Sequence, residues 1–348
     1  MASLIDLPDD LLRCILDRCT TRSLACLAAT CRTMRDMSGA VDPLPPVVLT
    51  GRQVPRVMRW LWNPDIAARV HVLIARHCLY GSCRWTAQMP ALETLVLTFC
   101  RVSSDAVSFL PTTLRHLDIH QVVPPSASSH SRMHFGRFKH LQTLNLVFMT
   151  SRWDAAFIRK LPKGLRRFHA RGPPALVIES RIPSGMRDVS LHAVGMLLIP
   201  NRLPNGVRRM CLACDQGRLW LGDTVPWRPR KMRELRVMCP YVTCVPRLYA
   251  MTRLETLHLA CDSFIVNWKS MSDLQHLRDV ELRVKTWLGF INREWPASVP
   301  MPARLVLSVA DRAVSNMYIT ITTQPPPDQN LPPDELGSQD GDHLGPDA

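Results

Sequence analysis

The stretch LETLVL, Leu92-Glu93-Thr94-Leu95-Val96-Leu97, decides how this chain folds, because it comes back. It returns as LRHLDI at Leu114, LQTLNL at Leu141, LRRFHA at Leu165, MRDVSL at Met186, VRRMCL at Val207, MRELRV at Met232, LETLHL at Leu254 and LRDVEL at Leu277. Weaker copies are LPPVVL at Leu44, AARVHV at Ala67 and PARLVL at Pro302. Across the twelve copies, positions 1, 4 and 6 are apolar in 35 of 36 cases and positions 2, 3 and 5 in 6 of 36. Such a contrast, repeated every 21 to 27 residues, describes one structural unit stacked on itself.

An L-x-x-L-x-L unit of this period resembles the leucine-rich repeat, which implies an α/β solenoid over 41–322, about twelve repeats long. The resemblance places the unit on a short strand with positions 4 and 6 in the core and the strands side by side on a concave wall. Return segments wider than the strand spacing would bend the stack into an arc. Pro111, Pro162, Pro183 and Pro204 stand three residues before the next unit, so the returns should be short, irregular or 3₁₀ rather than full helices. The family's usual Asn after the strand is missing. Cys100, Cys214, Cys239 and Cys261 stand near its place, as in the cysteine-containing subclass, three of them one residue early.

The first 40 residues leave this frame. Leu7, Leu11, Leu12, Ile15 and Leu16 fall on one helical face, with Pro8 suited to the first turn and Asp9 and Asp10 to the positive end of its dipole. Thr20-Thr21 breaks that helix and can cap a second, whose stripe is Leu24, Leu27, Ala28 and Cys31. So short a helical segment buries little alone and needs a partner surface. Residues 7–34 resemble an F-box through Leu7-Pro8, Asp10, Ile15-Leu16, Leu24 with Leu27, and Cys31-Arg32. They depart from it at Thr30, where an aliphatic residue is usual, and at Met34, where Trp is usual.

Of the 348 residues 46% are hydrophobic, which suits a folded chain, and no apolar run reaches the roughly 18 residues of a membrane span. The opening MASLIDLPDD has acids where a secretory signal would be positive, and the 12 cysteines are scattered with no Asn-x-Ser/Thr site, pointing to free thiols in cytosol or nucleus. The net charge of +14 is uneven: residues 41–324 hold 38 basic against 18 acidic side chains, while 325–348 hold six acids and no Lys or Arg. Only six of the 43 cations are Lys, as a GC-rich genome favours. The Pro- and Asp-rich segment 323–348 reads as a disordered tail, and Tyr318-Ile-Thr-Ile-Thr before it as an edge strand closing the stack.

Motifs for bond chemistry are missing: no P-loop, GxSxG or HExxH occurs, and Gly totals only 15. Cys211 and Cys214 form one CxxC without a second, on a strand and the turn after it, so neither metal nor cofactor is expected. The phrases near Leu165 and Val207 resemble bacterial leucine-rich-repeat effector ligases, but no catalytic cysteine domain follows the repeats. What is left is a surface. At position 3, Arg167, Asp188, Arg209 and Glu234 alternate in sign and should pair with one another. The candidate target-binding residues are His169, Arg171, His192, Arg236 and His258 at positions 5 and 7, with Arg171 and Arg236 as unpaired cations for an acidic or phosphorylated peptide. Position 2 holds Arg115, Arg166, Arg187, Arg208, Arg233 and Arg278, read as a solvated rim that steers partners.

Together the two resemblances imply a non-catalytic substrate receptor of an SCF-type ubiquitin ligase. Leu7, Pro8, Leu11, Ile15, Leu16, Leu24, Leu27, Cys31 and Arg32 would then dock the adaptor and its cullin complex, and the arc would hold the target. The rival is a free-standing repeat scaffold whose N-terminal helices cap the first repeat. A variant of the rival binds RNA or anionic lipid through its basic arc, but 6% aromatics and no stacking motif argue against nucleic-acid reading.

Overall fold

A computed structural model describes residues 11, 12, 15, 16, 18–28, 44–51, 61–77, 83–123, 130–148, 155–179, 181–199, 204–221, 230–242, 251–263, 274–286, 304–309 and 317–322. Leu7, Pro8, Cys31, Arg32 and the segment 323–348 lie outside them. Period-two alternation within each repeat unit produces a strand, and the strands pair in parallel into an inner ladder. Its members are β1 (Val47–Thr50), β2 (Val72–Arg76), β3 (Thr94–Ser103), β4 (His116–Val123), β6 (Thr143–Phe148), β8 (Arg167–Arg171), β10 (Asp188–Ala193), β12 (Arg209–Cys214), β14 (Glu234–Met238), β16 (Thr256–Ser263), β17 (Asp279–Thr286) and β18 (Arg304–Val309).

Register follows the sequence frame. Position 4 aligns through Leu95, Leu117, Leu144, Phe168, Val189, Met210, Leu235, Leu257, Val280 and Leu305. One unit is corrected: Leu73, not Val70, pairs with Leu95, so that unit begins at Val70 rather than Ala67. Ala67 instead ends a short helix, α2 (Pro64–Ala67), started by Asn63, whose side chain accepts from the Asp65 N–H. Positions 1, 4 and 6 form the core; Leu92, Leu95, Leu114, Leu117, Leu141 and Leu144 are all buried. Each such side chain contributes about 2 kcal/mol through burial.

The returns meet expectation in part. Near the start of the stack they are 3₁₀ turns, at Cys83–Gln88 and Ser104–Phe109. Farther on they are extended and pair into an outer ladder of β5 (His130–His134), β7 (Ala155–Arg159), β9 (Ala175–Ile178), β11 (Met196–Ile199), β13 (Arg218–Leu221) and β15 (Tyr241–Val242). Proline denied these segments a helix, as read. The runs ALVI and MLLI then made strands, because extended backbone lets Leu176, Ile178, Leu197 and Ile199 all enter the core. Two parallel walls of equal spacing have no thickness difference, so the wedge that bends a solenoid is confined to turns with bulkier returns.

Close stacking needs small residues where turns meet. A β-carbon at Gly206 would stand 2.5 Å from the Ser184 carbonyl oxygen, and one at Gly217 would fall on the Gly195 carbonyl. At the far end β19 (Met317–Thr322) pairs antiparallel with β18, closing the inner ladder as an edge strand. At the near end α1 (Thr21–Ala28) packs against β1. Thr20 caps α1, its hydroxyl accepting from the Ser23 N–H at 3.2 Å.

Candidate interaction surface

Polar side chains of the inner ladder lie in rows, one residue per turn. In the position 3 row the expected pairing is present. Asp188 accepts from Arg209 through Nε at 2.8 Å and Nη2 at 3.1 Å, while Arg167 Nε lies 3.4 Å away on the other side. One carboxylate thus serves two guanidinium groups, at only 15% side-chain exposure.

Three of the five candidate target-binding residues are held by neighbouring charges. His192 Nε2 lies 2.6 Å from Asp215, and His258 is held between Asp279 at 3.2 Å and Glu281 at 3.1 Å. Arg236 is not an unpaired cation: its Nε meets Glu234 at 2.6 Å. Residues i and i+2 of a strand share a face, so the long Arg side chain reaches back along its own strand. His169 is exposed on β8, yet desolvation by its surroundings lowers its pKa; Asp188 opposes this and Arg167 adds to it. Arg171 makes no ion pair or side-chain hydrogen bond with any described residue. It borders a groove of about 750 Å³ with His169, Ser190, His192, Cys211 and Ala213, where small side chains leave the strand face hollow.

Position 2 is different. Here the sequence along the stack is Glu93, Arg115, Gln142, Arg166, Arg187, Arg208, Arg233, Glu255 and Arg278, each N–H bonded to the carbonyl one turn before. Arg115 meets Glu93 at 3.5 Å and Arg233 meets Glu255 at 3.4 Å. Between those pairs Arg166, Arg187 and Arg208 stand exposed with no ion pair among the described residues. With Arg167 and Arg209 they line a second groove, of about 530 Å³.

The cysteines after the strands do the work of the missing Asn. Cys100 Sγ donates to the Ala75 carbonyl at 3.3 Å and Cys239 Sγ to the Gly217 carbonyl at 3.3 Å, each tying a turn to an earlier one. Burial raises the Cys211 pKa, and contact with the Cys239 thiol together with burial raises that of Cys214. Both are driven toward the protonated thiol, which lowers their reactivity as nucleophiles. Among the described residues no group of three or more His, Cys, Asp or Glu could hold a metal ion.

A third feature had no sequence signal of its own. His77 and Phe99, exposed on successive turns at φ of 55° and 54°, stack ring on ring at 4.8 Å. At Phe99 the left-handed backbone coincides with the bulge that shifts the β3–β4 register after Thr98.

The N-terminal helices divide their apolar residues between two sides. Leu12, Leu16 and Leu24 are buried, and Leu16 and Leu24 belong to the solenoid core, with Leu27 partly buried against it. Leu16 and Leu24, read from the sequence as adaptor-facing, are packed with the core at the first repeat's end of the stack. Leu11 and Ile15 face outward, 53% and 39% exposed. Residues 4–43 match the F-box domain family. The F-box match precedes the repeat solenoid. The F-box match starts three residues before Leu7 and extends nine past Met34, so it contains both positions that depart from the usual pattern.

Comparison with curated proteins gives no match. Among solved structures, an internalin of Listeria monocytogenes is 13% identical with a TM-score of 0.46, over 64% of this chain and 64% of its own. A leucine-rich-repeat protein of Leptospira interrogans is 13% identical with a TM-score of 0.33, over 72% of this chain and 75% of its own. No helix among the described residues is long and apolar enough to cross a membrane.

Proposed function

We propose that this chain is the substrate-recognition subunit of an SCF-type E3 ubiquitin ligase. The F-box would bind the adaptor and its cullin complex, and the repeats would hold the target. The observation that carries this reading is the order of parts, an F-box match at 4–43 followed by a strand face lined with polar and cationic groups. The work is proximity: tethering raises the target's effective concentration beside the ubiquitin-charged enzyme, and the receptor itself breaks no bond. Such a subunit acts in cytoplasm or nucleus.

Co-expression with the adaptor tests it. Full-length chain should co-purify with the adaptor, and Leu11→Ser with Ile15→Ser should lose it at unchanged melting temperature, since both side chains face outward. Failure of the unmodified chain to capture the adaptor would defeat the reading. Burial of Leu16 and Leu24 favours a second one, a repeat scaffold whose helices serve only as a cap. On that reading Leu24→Ala costs about 2–5 kcal/mol of stability and the adaptor never binds.

A further inference from the structure

The position 2 row holds like charges together where its neighbour does not. Arg166, Arg187, Arg208 and Arg233 stand on consecutive turns, joined by backbone hydrogen bonds of 2.7 to 2.8 Å. Strand spacing of about 4.8 Å brings their guanidinium groups side by side, an arrangement that opposes folding. At position 3 the same turns carry Asp188 between two arginines, which removes the conflict. At position 2 the carboxylates stand only at the ends, on Glu93 and Glu255, each with its own arginine. The middle of the row is left to be neutralised from outside.

We infer that this row is the docking site for an acidic segment of a protein partner, bound extended along the stack. The inference rests on the reading that the repeats hold a protein target, and it names what that target presents. Four arginines at strand spacing span about 14 Å, which about five extended residues cover at 3.3 Å each. The planar guanidinium fork matches a carboxylate with two parallel hydrogen bonds, and unpaired guanidiniums can turn to meet it. A phosphodiester chain fits less well. The groove has no Phe, Tyr or Trp on which bases could stack. Asp188, Glu234 and Glu255 on its walls would repel phosphates, whereas a peptide brings amide donors to them.

The test uses the full chain and a fluorescein-labelled eight-residue peptide of alternating Glu and Ser, read by anisotropy. Arg187→Gln and Arg208→Gln should each weaken binding about tenfold, while Arg181→Gln, exposed on a return segment outside the row, should change it less than about twofold. The Gln-for-Glu peptide should not bind. Melting temperature should hold or rise in the Arg187→Gln/Arg208→Gln double variant, so lost binding cannot be put down to misfolding. Binding within twofold of the unmodified chain in that double variant would overturn the proposal. So would equal binding of the Gln peptide, or tighter binding of a single-stranded oligonucleotide of the same charge. Adaptor capture by the same preparation separates the two readings: adaptor bound without peptide defeats the row alone, and peptide bound without adaptor defeats the ligase role alone.

Discussion

Two rows of side chains, one residue apart in every turn, meet the same excess of positive charge in opposite ways. At position 3 an acid inserted at every second turn lets Arg167 and Arg209 close on Asp188. At position 2 four successive turns carry Arg, and three of these have no ion pair among the described residues. The net +20 of residues 41–324 is thus no property of the surface as a whole. Where an acid falls within the repeat decides whether a cation is spent on the fold or available to a partner.

The largest test of that contrast is Asp188→Ala. It leaves Arg167 and Arg209 facing each other across β10 and should lower unfolding free energy by about 1–2 kcal/mol in urea titration, where a purely decorative pair would cost nothing. A smaller effect is expected from His169, whose pKa is lowered mainly by desolvation, with the charges of Arg167 and Arg209 adding to it. The unfolded chain then binds the proton more readily. The stability contribution is complete above pH 6.5 and is lost as pH falls through the folded pKa, so His169→Gln should flatten the stability slope just below pH 6.5. Smallest of all, Arg187→Gln in the unpaired row and Arg115→Ala at its paired end should each stay within about 0.5 kcal/mol of the parent. A loss beyond 1 kcal/mol at Arg187 would mean that the row is structural and erase the distinction.

The inner ladder was legible because three apolar positions per unit recur without a competing pattern. The exception is instructive: Ala67, Val70 and Val72 satisfy the frame as well as Val70, Leu73 and Ala75 do, and only pairing with β3 chooses between them. The outer ladder was not legible. Proline before each unit excludes helix but does not specify strand, and four-residue runs such as Ala175–Ile178 carry no periodicity to read. At the candidate site, cross-strand partners such as Asp188 could be foreseen from the spacing of units. The Glu234–Arg236 pair was missed because it runs along one strand rather than between two. The position 2 arginines were visible in the sequence as a solvated rim. Their significance needed the order in which turns stack, which places four arginines in succession between Gln142 and Glu255.

The reversed strand β19 has a consequence for assembly. A repeat stack grows by copying: each parallel strand presents to the next the hydrogen-bond pattern that it received, so an uncovered last turn is a template for any similar strand. By running against β18, β19 offers an antiparallel pattern instead. A further parallel unit, whether from this chain or from another copy, meets the wrong spacing of donors and acceptors. With α1 covering β1 at the opposite end, the molecule has a defined length rather than the open ends of a filament.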